Sequence, residues 1–467
     1  MENKTFNATV WYTISSFIIK GVVFLSIPLF LRILTKYEFG IFSNYTTWCS
    51  IITIIASLSL YSSLVRARFD FKDDLFSYVY SNLLLGSLVT LFIGAIFFVC
   101  SDFFRKLFVL DNIYLLIMII TILVSPAYEM FISICMFNYK YKIVVLLSVV
   151  VSISSIVCSF ILIYLMDNNL LARIIGMYTP TVIISISCYL YFIRKKCCFN
   201  IKYCKYALAI STPYIFHLIS GTILNGSDKS MITLMCGAQD NAIYSMGYNV
   251  GIIISVLWGA MNSAFSPIVG ECINEKKYNE LSRYSKIYLS VFSLIVIGVF
   301  LFAPEIVLIM GGEQYKEAMF VVPPVVLSYF FVFIYSFYVN IEQYEKKTKW
   351  MAIATCGCAM INLLLNTIFI KIFGYIAASY TTLLCYVMMA ITHYLLVKRI
   401  GFSFVYDTSY FIKLSIIMTA FCFFSIFIYQ YFTFRIICVV VFMLFILFLY
   451  KKYNESIKML MKGVAKS

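Results

Sequence analysis

The chain is dominated by apolar runs of about twenty residues or more, separated by short segments that carry its charges. A run of this length suits an α-helix that crosses the hydrocarbon core of a bilayer, because each residue advances a helix by about 1.5 Å. Amphipathic stripes, which are typical of helices on a soluble core, do not dominate. The pattern predicts about fourteen transmembrane helices, near residues 8–34, 41–65, 77–100, 110–136, 143–166, 170–193, 207–236, 241–268, 287–310, 319–341, 350–370, 374–397, 409–429 and 433–450.

Composition and charge support a membrane protein with a defined orientation. Of the 467 residues, 63% are hydrophobic and 12% are charged, whereas about a quarter of a soluble domain is charged. If the N-terminus is cytoplasmic, 25 of the 36 lysines and arginines fall in cytoplasmic segments and seven in outward connections. The sequence therefore predicts a multi-pass protein of the inner (cytoplasmic) membrane with both termini in the cytoplasm. The basic residues lie at segment ends and not in one patch, so nucleic acid is not an expected partner.

A basic segment divides the chain into two comparable parts. It follows the sixth predicted span and suggests a boundary at residues 194–206, between six-helix lobes at 1–193 and 207–398. Residues 399–467 would then form a terminal helix pair with a basic cytoplasmic tail. The predicted fold is an all-α membrane protein with two lobes around a central cavity.

The first predicted span carries a polar stripe. Thr9, Thr13, Ser16 and Lys20 recur at spacings that place them on one helix face. An ionisable side chain in a span costs about 2.5–3.5 kcal/mol on insertion scales, so it normally faces a cavity or a partner. Lys20 and Ser16 are therefore candidates for a cationic cavity wall, and the alternative is a lysine that pairs across a helix interface.

The seventh predicted span carries a longer polar face, which consists of Pro213, His217, Gly221, Asn225 and Asp228, with Lys229 beside it. Such a face indicates water on one side, where the helix loosened by Pro213 and Gly221 is tolerated. Asp228 and Lys229 could instead form a structural ion pair. His217 could be a hydrogen-bonded interior residue instead of a proton relay.

Other embedded polar residues have two interpretations each. Glu129 could bind a coupling cation or proton, as could Asp228, or it could pair with a lysine. Asn362 and Asn366 are expected to bond to neighbouring helices. Arg173 and Lys413 lie near span ends and are expected to extend to the interface.

Several stretches resemble a known family. These are Trp11-Tyr12 through Lys20-Gly21, then Ser26 to Thr35 with Glu38-Phe39-Gly40, Pro213 to His217 with Ser227-Asp228-Lys229, Ile243 to Tyr248, Glu342 to Trp350, Asn362 to Asn366, and Phe373 to Ala378. In order and spacing they are similar to bacterial polysaccharide flippases of the O-antigen and capsule type. That family belongs to the multidrug/oligosaccharidyl-lipid/polysaccharide exporter superfamily. One departure is Lys229, where the family usually has an arginine. A lysine keeps the positive charge but lacks the planar guanidinium that can bind a phosphate through two parallel hydrogen bonds.

The resemblance implies a transporter and not an enzyme. The substrate would be an oligosaccharide repeat unit on undecaprenyl diphosphate, moved across the membrane by alternating access for O-antigen, capsule or exopolysaccharide assembly. A cavity with Lys20 and Lys229, together with Asp228, Asn225, His217 and Ser16, would hold the headgroup while membrane lipids surround the tail. A polysaccharide polymerase and a chain-length regulator would be partners, and no cofactor or metal is expected.

Two rival functions are distinguished by charge and by loop length. A drug or organic-cation antiporter of the same superfamily would need an acidic cavity, but the embedded charges are four basic (Lys20, Arg173, Lys229, Lys413) and two acidic (Glu129, Asp228). A membrane polysaccharide polymerase would be expected to have a large outward loop. The longest outward connection here, residues 302–318, is short.

Overall fold

The computed structural model describes the backbone of residues 2–195 and 198–464, and their side chains except at 2–10, 12–14, 17, 348–349, 449–450 and 452–464. The described chain forms sixteen α-helices and two short 3-10 helices, the latter at Leu60–Ser63 and Glu313–Phe320. In chain order, α1 to α16 are Glu2–Ile33, Lys36–Ala56, Leu64–Asp70, Leu75–Val99, Ser101–Phe108, Asn112–Phe137, Tyr141–Leu165, Asn169–Ile193, Ile201–Met235, Ala238–Asn274, Tyr278–Gly311, Val322–Tyr344, Thr348–Phe373, Ala377–Arg399, Thr408–Ile428 and Phe432–Val464.

The all-helical membrane class is confirmed. Twelve helices in the described part of the chain, α2, α4 and α6 to α15, are long and apolar enough to cross a membrane. They coincide with twelve of the fourteen predicted spans. The remaining two windows fall on α1 and on α16, whose apolar stretch Phe432–Phe448 is shorter than the others. Side chains such as Phe98 and Tyr164 are more than four-fifths exposed, as expected where lipid is the solvent.

For description we call α1 to α8 the N-half and α9 to α15 the C-half. Within the N-half, α8 packs against α6 and α7, and within the C-half α14 packs against α12 and α13. The division into lobes at 1–193 and 207–398 stays a prediction. The predicted linker 194–206 includes the start of α9 at Ile201, because the Asn200 side chain accepts a hydrogen bond from the Lys202 amide and caps the helix.

The halves are joined tightly at one end of the bundle, by a set of contacts that we call the seal. Asn241 Nδ2 donates to the Gly40 carbonyl oxygen at 2.8 Å, and the Ser43 and Ser245 hydroxyl oxygens are 2.7 Å apart. Gly40 is needed there, since a Cβ at this position would lie 1.8 Å from the carbonyl oxygen of Ala238. The opposite end, which we call the basic end, carries the lysine- and arginine-rich connections and is the predicted cytoplasmic side.

Candidate functional site

The polar face of α9 lines a cavity in the C-half. His217, Gly221 and Asn225, spaced four residues apart, border a hollow of about 740 Å³ that α10, α12, α13 and α14 complete. Asn225 is held in place because its Oδ1 accepts a hydrogen bond from the Tyr386 hydroxyl at 2.8 Å. His217 is exposed to this cavity and has no hydrogen-bond partner among the described residues. The interpretation of His217 as a hydrogen-bonded interior residue is therefore wrong.

Asp228 lies on the same side of α9, but it is buried in a network of neutral donors. Its Oδ2 accepts hydrogen bonds from the hydroxyls of Tyr244 at 2.6 Å and Thr382 at 2.7 Å, and its Oδ1 accepts one from Asn366 Nδ2 at 2.6 Å. Asn362 Nδ2 also donates to Thr382 at 3.3 Å. The prediction that Asn362 and Asn366 bond to neighbouring helices is confirmed. This network joins α9 to α10, α13 and α14.

Lys229 does not form an ion pair with Asp228, so the structural ion-pair interpretation is wrong. Its ammonium lies 5.0 Å from the centre of the Tyr248 ring, and no carboxylate among the described side chains is within ion-pairing distance. The contact is a cation–π interaction between α9 and α10. The lysine is half-buried and keeps hydrogen-bonding capacity for an anion.

Lys20 and Ser16 lie on an exposed face of α1, outside the C-half cavity. Leu31 is eleven residues after Lys20 and therefore within about 20° of the same face on an ideal helix. Leu31 is fully buried in the core of the C-half, and Gln314 Nε2 donates to its carbonyl oxygen at 3.2 Å. This face of α1 is thus covered by the C-half near the seal and uncovered at Lys20. Lys20 is exposed on α1, and Leu29 lies on the opposite side of the helix.

The embedded acid of the N-half, Glu129, is half-buried on α6 and forms no ion pair with a described lysine. Tyr61 lies within electrostatic range of both Glu129 and Tyr214, so the carboxyl group is near the surface where the N-half meets α9. Arg173 was expected to extend to the interface, and this is wrong. Its guanidinium is buried 3.6 Å from the centre of the Phe30 ring, and Nη1 donates to the Ser159 hydroxyl at 2.7 Å.

A further polar pair in the C-half was missed at the level of sequence. Glu342 and His393 contact each other between α12 and α14, and His393 lines the same cavity as His217. Each residue by itself looked like an isolated polar residue near the end of an apolar run. The only available signal was that both fall on predicted neighbouring helices near the same membrane face.

An apolar groove of about 760 Å³ lies elsewhere in the C-half, between α12, α14 and α15. Its described lining is almost entirely aliphatic and aromatic, and its polar groups are the hydroxyls of tyrosine, threonine and serine side chains. Without a cation it does not suit a charged headgroup.

Comparison with known proteins agrees with this geometry. The chain shares its fold with a structure of the lipid II flippase MurJ in an inward closed conformation, with a TM-score of 0.73, 17% identity, and coverage of 96% of this chain and 100% of that chain. An inward-facing multidrug resistance MATE family transporter of the MOP superfamily matches with a TM-score of 0.60, 15% identity, and coverage of 82% of this chain and 98% of that chain. These likenesses show that the chain shares its fold with the two proteins.

Sequence comparison identifies the family. An uncharacterized membrane protein in the cps region of Klebsiella pneumoniae is 23% identical over 343 residues, which cover 69% of this chain and 67% of that protein. The MatE family matches residues 213–368, and the polysaccharide biosynthesis protein family matches residues 6–273. Because the second match spans more than half of the 467 residues, the chain belongs to the polysaccharide biosynthesis protein family.

Proposed function

We propose that the protein is a flippase that moves a polyprenyl-diphosphate-linked oligosaccharide repeat unit across the cytoplasmic membrane. In this proposal α1 and α16 are also spans, which gives fourteen, both termini are cytoplasmic, and the two halves rock around a central gap. The product would feed O-antigen, capsule or exopolysaccharide assembly, with a polymerase and a chain-length regulator downstream. Undecaprenyl diphosphate is the carrier that the family resemblance favours.

One observation supports the proposal most: Lys20 and Lys229 are membrane-embedded cations without a carboxylate partner among the described side chains. A cation without a partner is costly in a bilayer, so it is retained where an anion or water reaches it. A diphosphate is such an anion, and charge-assisted hydrogen bonds to its oxygens are about twice as strong as neutral ones. In this proposal Lys20 faces the gap, and Ser16, one turn away on the same exposed face, lies beside it.

The neutral polar side chains of the C-half cavity would contact the sugars. Asn225 and His217 offer hydrogen-bonding groups to a hydroxyl-rich ligand, and Asp228 positions Asn366 and Tyr244 behind them. The polyprenyl tail would remain in lipid beside the gap. No covalent step is required, because the carrier and the oligosaccharide stay linked throughout.

Transport against a gradient would require a coupled ion. Glu129 is the better candidate of the two predicted residues, because its carboxyl group is not paired with a described lysine and is not fully buried. Asp228 already accepts three hydrogen bonds from neutral donors, so a cation would have to displace at least one of them.

The test uses three lysine-to-alanine variants in a strain that depends on this gene for its surface polysaccharide. Lys20→Ala and Lys229→Ala are expected to abolish surface polysaccharide while lipid-linked repeat units accumulate inside the cell. Lys413→Ala is the matched control, since Lys413 is also exposed on a spanning helix but lies on α15, away from the gap. Normal export by both test variants at normal expression would refute the cationic path.

A multidrug antiporter is the second candidate, because the MatE family matches residues 213–368. The described lining of the C-half cavity contains no acidic side chain, which does not favour a cationic drug. Extrusion of a lipophilic cation that survives Lys20→Ala and Lys229→Ala, together with unchanged polysaccharide, would favour the antiporter.

A further inference from the structure

Glu342 and His393 form a buried polar pair at the interface of α12 and α14. Both side chains are 1% exposed, and Glu342 Oε1 lies 2.9 Å from His393 Nδ1. The imidazole is also stacked on Tyr335, with ring centres 5.5 Å apart. The pair is therefore held in one geometry from two sides.

The pair is only partly satisfied. Glu342 Oε2 is buried, and neither this atom nor His393 Nε2 has a hydrogen-bond partner among the described residues. A buried acceptor without a donor is destabilising, and more so when it is charged. Two open positions, one on each residue, remain available to a proton.

Each residue of the pair borders a different hollow. Glu342 lines a pocket of about 210 Å³ at the basic end, with Lys347, Trp350 and Arg399. His393 lines the C-half cavity of about 740 Å³. The pair consequently lies between water at the basic end and the cavity that we assign to the substrate.

The charged and titratable groups around the pair come from a few elements. On the pocket side they are Lys347, before α13, and Arg399 of α14, and neither forms an ion pair with Glu342. On the cavity side they are Tyr335, Tyr386 and His217. The residues that α10 contributes to the described lining do not titrate, and α11 and α15 contribute none to either hollow.

We propose that Glu342 and His393 together form a proton-binding site, reached from the basic end through Glu342 and from the C-half cavity through His393. Its role as a coupling site for export, as an alternative to Glu129, rests on the proposed function, whereas proton binding itself does not.

The proton balance of the site is simple. The empty state is a carboxylate that accepts a hydrogen bond from the Nδ1–H of a neutral imidazole. A proton from cavity water binds Nε2 and gives an imidazolium–carboxylate pair. Transfer of the Nδ1 proton to Oε1 then gives a neutral acid and a neutral imidazole, and the acid can release its proton to water in the pocket. Until that release the pair carries one additional proton and one additional positive charge. After it the imidazole holds its proton on Nε2, and a tautomer change back to Nδ1–H restores the empty state.

The chain has two histidines, which makes the site measurable directly. Full-length protein labelled with ¹⁵N-histidine is reconstituted in lipid nanodiscs, and its imidazole signals are followed by NMR during a pH titration. His217→Asn removes one set of signals and thereby assigns the other to His393. In the wild type, the His393 signals are expected to move with pH between two limits, one for each protonation state of the imidazole.

Glu342→Gln keeps the size of the side chain but removes the carboxylate that stabilises the imidazolium. The pH dependence of the His393 signals is expected to differ from that of the wild type, because the group in contact with Nδ1 no longer carries a charge. Wild-type signals that stay fixed across the range would overturn the proposal, and this outcome does not require the variant to fold. If the His393 signals change with pH but Lys20→Ala and Lys229→Ala export normally, the proton site stands and the cationic path of the proposed function fails.

Discussion

Replacing Asp228 by alanine tests whether this carboxylate organises the C-half. The change removes the acceptor of three hydrogen bonds, from Tyr244, Thr382 and Asn366, which are all 2.6–2.7 Å long. Hydrogen bonds to a charged group contribute about 1.5–3 kcal/mol in soluble proteins, whereas those between membrane helices average about 0.6 kcal/mol. The expected loss in the free energy of unfolding is therefore about 2–5 kcal/mol, at the upper end if the three donors stay unsatisfied.

The free energy of unfolding can be measured in mixed micelles with a rising fraction of sodium dodecyl sulfate, followed by tryptophan fluorescence. Lys229→Ala is the adjacent control, since it removes a single cation–π contact worth about 0.5–1 kcal/mol. Thr382→Val removes one of the three donors at nearly constant volume. The double variant of Asp228→Ala and Thr382→Val should therefore be more stable than the sum of the single losses predicts, by about 1 kcal/mol.

The reasoning fails if Asp228→Ala costs no more than Lys229→Ala, or if the double variant shows strict additivity. It also fails if Lys229→Ala is as damaging as Asp228→Ala, because an ion pair would then link the two residues after all.

Three further predictions concern other parts of the molecule. Gly40→Val should open the seal, since its Cβ would collide with Ala238. A cysteine introduced by Ser43→Cys in the same variant should then react with an impermeant maleimide. Gly357→Val is the control, because a Cβ there meets nothing within 4 Å. Arg173→Lys should lower the free energy of unfolding by about 1 kcal/mol, because an ammonium cannot both stack on Phe30 and bond to Ser159. Lys413→Arg is the control and should be neutral in the same unfolding measurement. The Lys286 ammonium, and then the Tyr410 amide, lower the pKa of Asp407, so its contribution to stability is present above about pH 4 and is lost as the pH falls further. Unfolding midpoints at pH 5 and pH 3 should therefore differ less in Asp407→Asn than in the wild type, and an equal difference would contradict the assignment.

Much of the architecture could be predicted because apolar length is a local property. A run such as residues 143–166 needs no knowledge of its neighbours to be identified as a helix that spans a bilayer, and α7 occupies Tyr141–Leu165. Short elements between spans were less predictable. The eight-residue α5 begins directly after α4 at Ser101, where a loop had been expected, since its phenylalanines fold back onto one another instead of entering lipid.

The sequence by itself determined that this protein lies in a lipid membrane, where most of its spans fall and which face of α9 borders a cavity. These properties follow from the length of apolar runs and from the helical period, which depend only on residues close in the chain. Only the tertiary structure decided which charges have partners. Asp228 is satisfied by residues from three other helices, Lys229 faces a ring instead of its neighbour, and Glu342 meets His393 across 51 positions. The energy of such a pair depends on the distance between the helices that carry it. That distance is set by tertiary packing, which cannot be predicted from a local sequence pattern.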